Sequence, residues 1–174
     1  MKRTVLMFCA ALAVTACSRG EDFAGLGTGG PTGTIDPSAA EALAALDGRG
    51  IPVESPRFFY EIIGDRIFFA VDQSTLSPEA QGTLDLQAAW LAQRSGPITI
   101  EGHADEQGTT DYNIALSNRR AAAVRDYLVT KGIPDQRLSI NGFGKARPVA
   151  VCSDESCWSQ NRRSVTVFSE VPGV

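Results

Sequence analysis

The sequence predicts a two-layer α/β sandwich over residues 57–174, a mixed sheet of about four strands covered by two main helices in βαβαββ order. Three observations point there. Dense β-forming runs alternate with segments of helical periodicity. Helix start and stop signals fall between them. The stretch of about 118 residues suits one domain with one core, and no internal repeat divides it.

"RIFFAV" (66–71) reads as the first strand, and "RFFYEII" (57–63) reads as an added edge strand joined to it through a turn at Gly64-Asp65. Ser77 as N-cap with Pro78 at the first helical position opens a helix on which Leu84, Ala88 and Leu91 share a face, and Gly82 weakens it. "PITIEGHA" (97–104) follows as a strand and residues 111–131 as a helix ended by Gly132 and Pro134. "RLSINGF" (137–143) and "SVTVFS" (164–169) supply the remaining strands, with a loop between them.

Two charges sit oddly in this pattern. On a helical wheel with Leu116 at zero, Tyr127 falls near 20°, Arg120 near 40°, Asn113 near 60° and Val124 near 80°, so Arg120 lies mid-stripe on the apolar face. A buried guanidinium needs a partner. Asp105 leaves the preceding strand close to the start of this helix, so the two charges can share one pocket. One reading is an internal Asp105–Arg120 salt bridge that fixes the loop. The other is a pocket for an α-amino acid head group, with Arg120 forking onto its carboxylate and Asp105 accepting from its ammonium. In that case loss of either side chain costs binding and little thermal stability. Asn113 serves as a polar lining group or as a helix cap.

Catalysis fits poorly. His103 is the only histidine of the chain, and is expected as a hydrogen-bonded structural residue. No third metal ligand accompanies His103 and Asp105, no Gly-x-Ser-x-Gly elbow occurs, and Glu101 with Asp105 is a weak carboxylate pair. No cofactor is expected.

At the N-terminus, Lys2 and Arg3 precede an uncharged run from Thr4 to Ala16, the pattern of an export signal over residues 1–16. The run is too short to span a bilayer. It closes on Val14-Thr15-Ala16-Cys17, which resembles a bacterial lipobox with valine in the usual leucine position; the other reading is an ordinary secretory signal. Lipidation of Cys17 would tether the mature chain, since each buried CH₂ contributes about 0.8 kcal/mol. Removing residues 1–16 leaves 158 residues with 14 Lys plus Arg against 20 Asp plus Glu, which argues against a nucleic-acid binder. Residues 17–56 read as lipidated cysteine and flexible periplasmic tether, with six glycines in 18–36. A partly formed helix is expected at 38–47, where Ser38-x-x-Glu41 is a capping-box pattern. Cys152 and Cys157 form a close pair, and in an exported chain a disulfide suits them better than a metal.

"GHADEQGTTDYNIALSNRRAAAVRDYL", followed by "INGFGKARP" and "NRRSVTV", resembles the OmpA-like peptidoglycan-binding domain family over roughly residues 65–170, and within it the lipoprotein branch that works with the Tol proteins. "RIFFAVDQSTLSPEA" matches the family's first strand and following loop. The resemblance implies non-covalent, non-catalytic binding of the diaminopimelate residue of the stem peptide. It places that role on Asp105, Arg120, Asn113 and Leu116, with first-loop contacts within Phe69 to Asp72, partly through backbone groups, and the first arginine of "NRR" at Arg162. Ala70 departs from the acid many relatives carry there, and the cysteine pair departs from the commonest pattern. The partners implied are peptidoglycan, outer-membrane lipid through acylated Cys17, and the Tol proteins, TolB especially. Ser18 after the lipidated cysteine favours the outer membrane, facing the periplasm. The competing reading is a scaffold for protein partners.

Overall fold

The computed structural model describes residues 37–46 and 50–169. The export signal, Cys17 and the tether residues up to 36 lie outside the described residues. Helices α1 (Pro37–Ala45) and α2 (Pro56–Phe58), the latter running into a π-helical turn (Phe59–Ile63), lead into strand β1 (Arg66–Phe68). Then come α3 (Pro78–Ala92), β2 (Ile98–Gly102), α4 (Thr110–Thr130), β3 (Leu138–Gly142), α5 (Glu155–Asn161) and β4 (Arg163–Phe168). The four strands form one sheet in the order β1-β4-β2-β3. β2 and β3 are parallel, whereas β4 is antiparallel to both β1 and β2.

The last strand therefore inserts between the first two. This brings the start of β4 beside the end of β2: Gly102 pairs with Ser164, and His103 N–H donates to the Arg163 carbonyl. Beneath the sheet, α3 and α4 bury Leu84, Ala88, Trp90, Leu91, Ala121, Val124 and Leu128 against Ile67, Ile98, Ile100 and Phe168. β2 and α4 approach closely at Gly102, where a Cβ would meet the Ser117 carbonyl oxygen at 1.9 Å. The mixed sheet with two main helices is the predicted sandwich.

Residues 57–63 form a helix, not the expected edge strand. Ser55 caps it, accepting from Phe58 N–H, with Pro56 in the first turn. The helical path turns Phe58, Phe59 and Ile63 into the core, and Phe59 packs 4.9 Å from the Trp90 ring. A strand would have buried alternate residues and left Phe58 and Phe59 on opposite faces. The first strand is also shorter than "RIFFAV", because the chain turns away at Asp72, whose φ is 56°.

α1 occupies part of the stretch expected as tether. Its Ala39 and Leu43 are buried, and it packs on α3; Ile51 and Val53 also rest on the core. Tertiary burial thus supplies the stability that so short a helix lacks in isolation. α5 lies within the loop expected between the last two strands, with Asp154 as its cap. Cys152 and Cys157 form a disulfide across its first turn, with Cα atoms 5.6 Å apart.

Candidate ligand-binding site

The two odd charges come to one end of the sheet, but Asp105 pairs with Arg162 and not with Arg120. Asp105, 7% exposed, is salt-bridged to Arg162, whose Nη1 lies 3.2 Å from Asp105 Oδ2. Its other oxygen accepts from Gln107 N–H at 3.1 Å. Arg120 is fully buried at 0% exposure, and its three nitrogens each donate to a main-chain carbonyl. Nε reaches Gln73 (2.8 Å), Nη1 reaches His103 (2.9 Å) and Nη2 reaches Ala70 (3.1 Å). Arg120 thereby ties the loop after β1 to the end of β2, with its guanidinium 5.2 Å from the buried Phe69 ring. Among the described residues no carboxylate forms a salt bridge with it.

Burial pushes the Arg120 guanidinium down to about 10; Asp105 opposes this and Arg162 adds to it. It remains charged at neutral pH. Its expected internal salt bridge to Asp105 is absent because β4, inserted beside β2, brings Arg162 to that carboxylate first.

Arg162 also donates from Nε to the Phe69 carbonyl at 3.1 Å and carries Glu155 on its outer edge. Neither Glu155 nor the bridge to Phe69 is among the features the sequence singles out; Glu155 opens α5, seven residues before Arg162, which caps its end.

Asn113 is buried and caps nothing. Its Nδ2 donates to the Gln107 carbonyl (2.8 Å) and toward that of Asp105 (3.4 Å), fixing the β2–α4 loop. The cap is Thr109, which accepts from Tyr112 N–H. Leu116 is buried on the same helical face. Asp72 lies exposed at the rim and accepts from Tyr112 Oη at 3.1 Å. A second rim contact joins Trp158 Nε1 to Glu106 Oε1 at 3.1 Å.

His103 stands on the other face of the sheet, stacked on Phe143 at 5.5 Å. It is 2% exposed, and neither ring nitrogen has a hydrogen-bond partner, unlike the bonded residue expected. Burial, with Arg163 and Arg147 nearby, pushes it down to about 4, so it is neutral. Among the described residues no group of His, Cys, Asp and Glu side chains could hold a metal.

Two arginines and one aspartate, with a leucine and an asparagine beside them, form a buried, charged cluster at the end of the sheet of this α/β domain. The OmpA family model matches residues 68–162, over half of the chain. The peptidoglycan-associated lipoprotein of Rhizobium meliloti is 53% identical over 133 residues, covering 76% of this chain and 75% of the relative. That of Mesorhizobium japonicum is 55% identical over 126 residues, 71% and 75% of the two chains. The crystal structure of the peptidoglycan-associated lipoprotein from Burkholderia pseudomallei matches with a TM-score of 0.61 at 34% identity, covering 66% of this chain and all of that one. The chain belongs to the OmpA family, among its peptidoglycan-associated lipoproteins.

Proposed function

We propose that the domain holds peptidoglycan non-covalently, without cleaving it, by gripping the free amino-acid end of diaminopimelate in the stem peptide. The observation that carries this reading is the fully buried Arg120, bonded only to neutral carbonyls. A buried cation without a bonded counter-ion favours an incoming anion. Three of its five N–H groups are used, which leaves two for the ligand carboxylate. Asp105, with acceptor capacity left on its carboxylate, takes the ammonium. Asn113, Leu116 and Phe69 shape the floor, Asp72 lies at the entrance, and Arg162 orients Asp105. The ligand enters as the exposed side chains of Asp72 and Tyr112 move aside, while Glu155 stays on Arg162.

Around this site the chain links two layers of the envelope. Acyl chains on Cys17 anchor it in the outer membrane, facing the periplasm, and the wall holds the domain at the other end of the tether. Tol proteins, TolB especially, are the proposed protein partners, supporting envelope integrity and constriction during division. Exposed Phe68, Val71, Val149 and Val151 favour a protein partner, with Phe68 and Val149 lining a hollow of about 270 Å³ together with Arg66 and Gln160.

Retention on purified sacculi tests the ligand reading. The wild-type chain is retained and Asp105→Ala is not; equal retention of both overturns the assignment. In titrations with a stem peptide, amidating the free carboxylate weakens binding, and equal affinity removes Arg120 from the ligand contacts.

A further inference from the structure

Arg162 is shared between two carboxylates, and they divide it unequally. Glu155 takes the guanidinium fork, with Oε1 on Nη2 and Oε2 on Nη1 at 3.2 Å. Asp105 receives only a part of Nη1, also at 3.2 Å. The buried floor of Asp105, Arg120 and Arg162 carries one more positive than negative charge, and Glu155 brings it to balance. Arg162 holds the Glu155 carboxyl below its usual range, so the balance is in place at neutral pH. Exposed Asp72 is engaged by Tyr112 at the rim and does not contact Arg162.

We propose that Glu155 is a specificity-determining residue of this site: by taking the fork of Arg162, which stays bonded to Asp105 through Nη1 alone, it offsets the guanidinium's charge, leaves Asp105 acceptor capacity for an ammonium and tunes the floor to a zwitterion over an anion. The inference rests on the reading of the site as a pocket for an amino-acid end. With Glu155 gone, the whole charge of Arg162 falls on Asp105 and Arg120, which disfavours a ligand ammonium and favours a lone carboxylate. Glu155 is a positioned group although its side chain is 63% exposed. The Cys152–Cys157 bridge closes the short loop that contains it. Asp154 pins the same turn by accepting from Ser156 N–H at 2.8 Å. Glu155 opens α5 and Arg162 caps its end, two turns on, which brings the two side chains together. The bridge is thus a positioning device for the charge that sets ligand preference.

The test is a titration of the full-length acylated chain in detergent with two probes. One is a stem peptide with a free diaminopimelate amino-acid end; the other is the same peptide acetylated on that end's amine. Wild type prefers the zwitterionic probe, and Glu155→Gln shifts the ratio of the two affinities toward the acetylated probe by roughly two- to fivefold. Glu155→Asp retains more of the wild-type ratio. The double variant Cys152→Ser/Cys157→Ser shifts the ratio in the same direction, and adding Glu155→Gln to it shifts the ratio no further. A Glu155→Gln variant that weakens both probes equally, or neither, overturns the assignment to Glu155. A double cysteine variant with the wild-type ratio overturns the role of the bridge. Wild-type chain that binds neither probe overturns the pocket reading itself, a result distinct from an unchanged ratio.

Discussion

Arg162, 57 residues farther along the chain, holds Asp105, with Nη1 3.2 Å from Oδ2, both side chains buried. Arg120, on the neighbouring helix, is thereby released from the aspartate and spends its nitrogens on the main chain. This division separates the consequences of losing each group.

Asp105→Ala leaves Arg162 bonded to Glu155 and to the Phe69 carbonyl, so Arg162 is not left without a counter-ion. Stability falls by about 1–3 kcal/mol, while retention on sacculi is lost. Urea unfolding beside the sacculus assay measures both.

Arg120→Ala orphans three buried carbonyls at the junction of two loops. The expectation of little thermal effect is therefore corrected: the loss is on the order of 3 kcal/mol or more, and Tm drops accordingly. Arg120→Lys fails as well, because one ammonium cannot span the Gln73, His103 and Ala70 oxygens in the guanidinium's planar fork. A calorimetric scan showing wild-type Tm for either variant would sink this account.

His103 gives a pH signature. Folded His103 is protonated only near pH 4, whereas an unfolded histidine is protonated near about 6.5. The unfolded chain thus binds the extra proton between these values. Its contribution to stability is complete above about pH 6.5 and is lost as pH falls through 6.5 toward 4, amounting to about 3 kcal/mol. Denaturant melts at pH 4.5 and 7.5 should show this fall in the wild type and a smaller one in His103→Gln.

The two glycines behave oppositely. A Cβ on Gly82, in the middle of α3, meets nothing within 4 Å, so Gly82→Ala stabilises by about 0.5–1 kcal/mol. Gly102→Ala drives a methyl into the Ser117 carbonyl and costs about 3 kcal/mol or more. Thermal melting of the two variants separates them by sign.

Removing the buried Leu43 side chain from α1 tests whether this helix belongs to the folded unit. Leu43→Ala lowers stability by about 2–4 kcal/mol; an unchanged unfolding midpoint would place α1 outside the cooperative core.

Local chemistry made much of this legible in advance. Ser77-Pro78 marks the start of α3 because cap and ring geometry act within one turn. Gly132 and Pro134 end α4 for similarly local reasons. The same Ser-Pro signal stands at Ser55-Pro56 and starts α2, but the β-forming side chains that follow point to a strand, and their burial around Trp90 is a tertiary matter. Asp105 and Arg120 were recognisable as site residues because each violates the apolar pattern around it. Periodicity assigns a residue to a face, however, and does not name its partner.

By itself, the sequence determined the two main helices and the four sheet strands, the α/β layering, the family and the presence of stranded charges at a strand end and on a helix face, because these follow from residue spacing and local propensity. Only the tertiary structure decided that Arg162 would hold Asp105, that Glu155 would share Arg162, and that α1 would join the core. The first depends on β4 threading between β1 and β2 and the last on burial against α3, contacts between residues far apart in the chain; the second is short in sequence and needed α5 to form in a segment with no clear helical pattern.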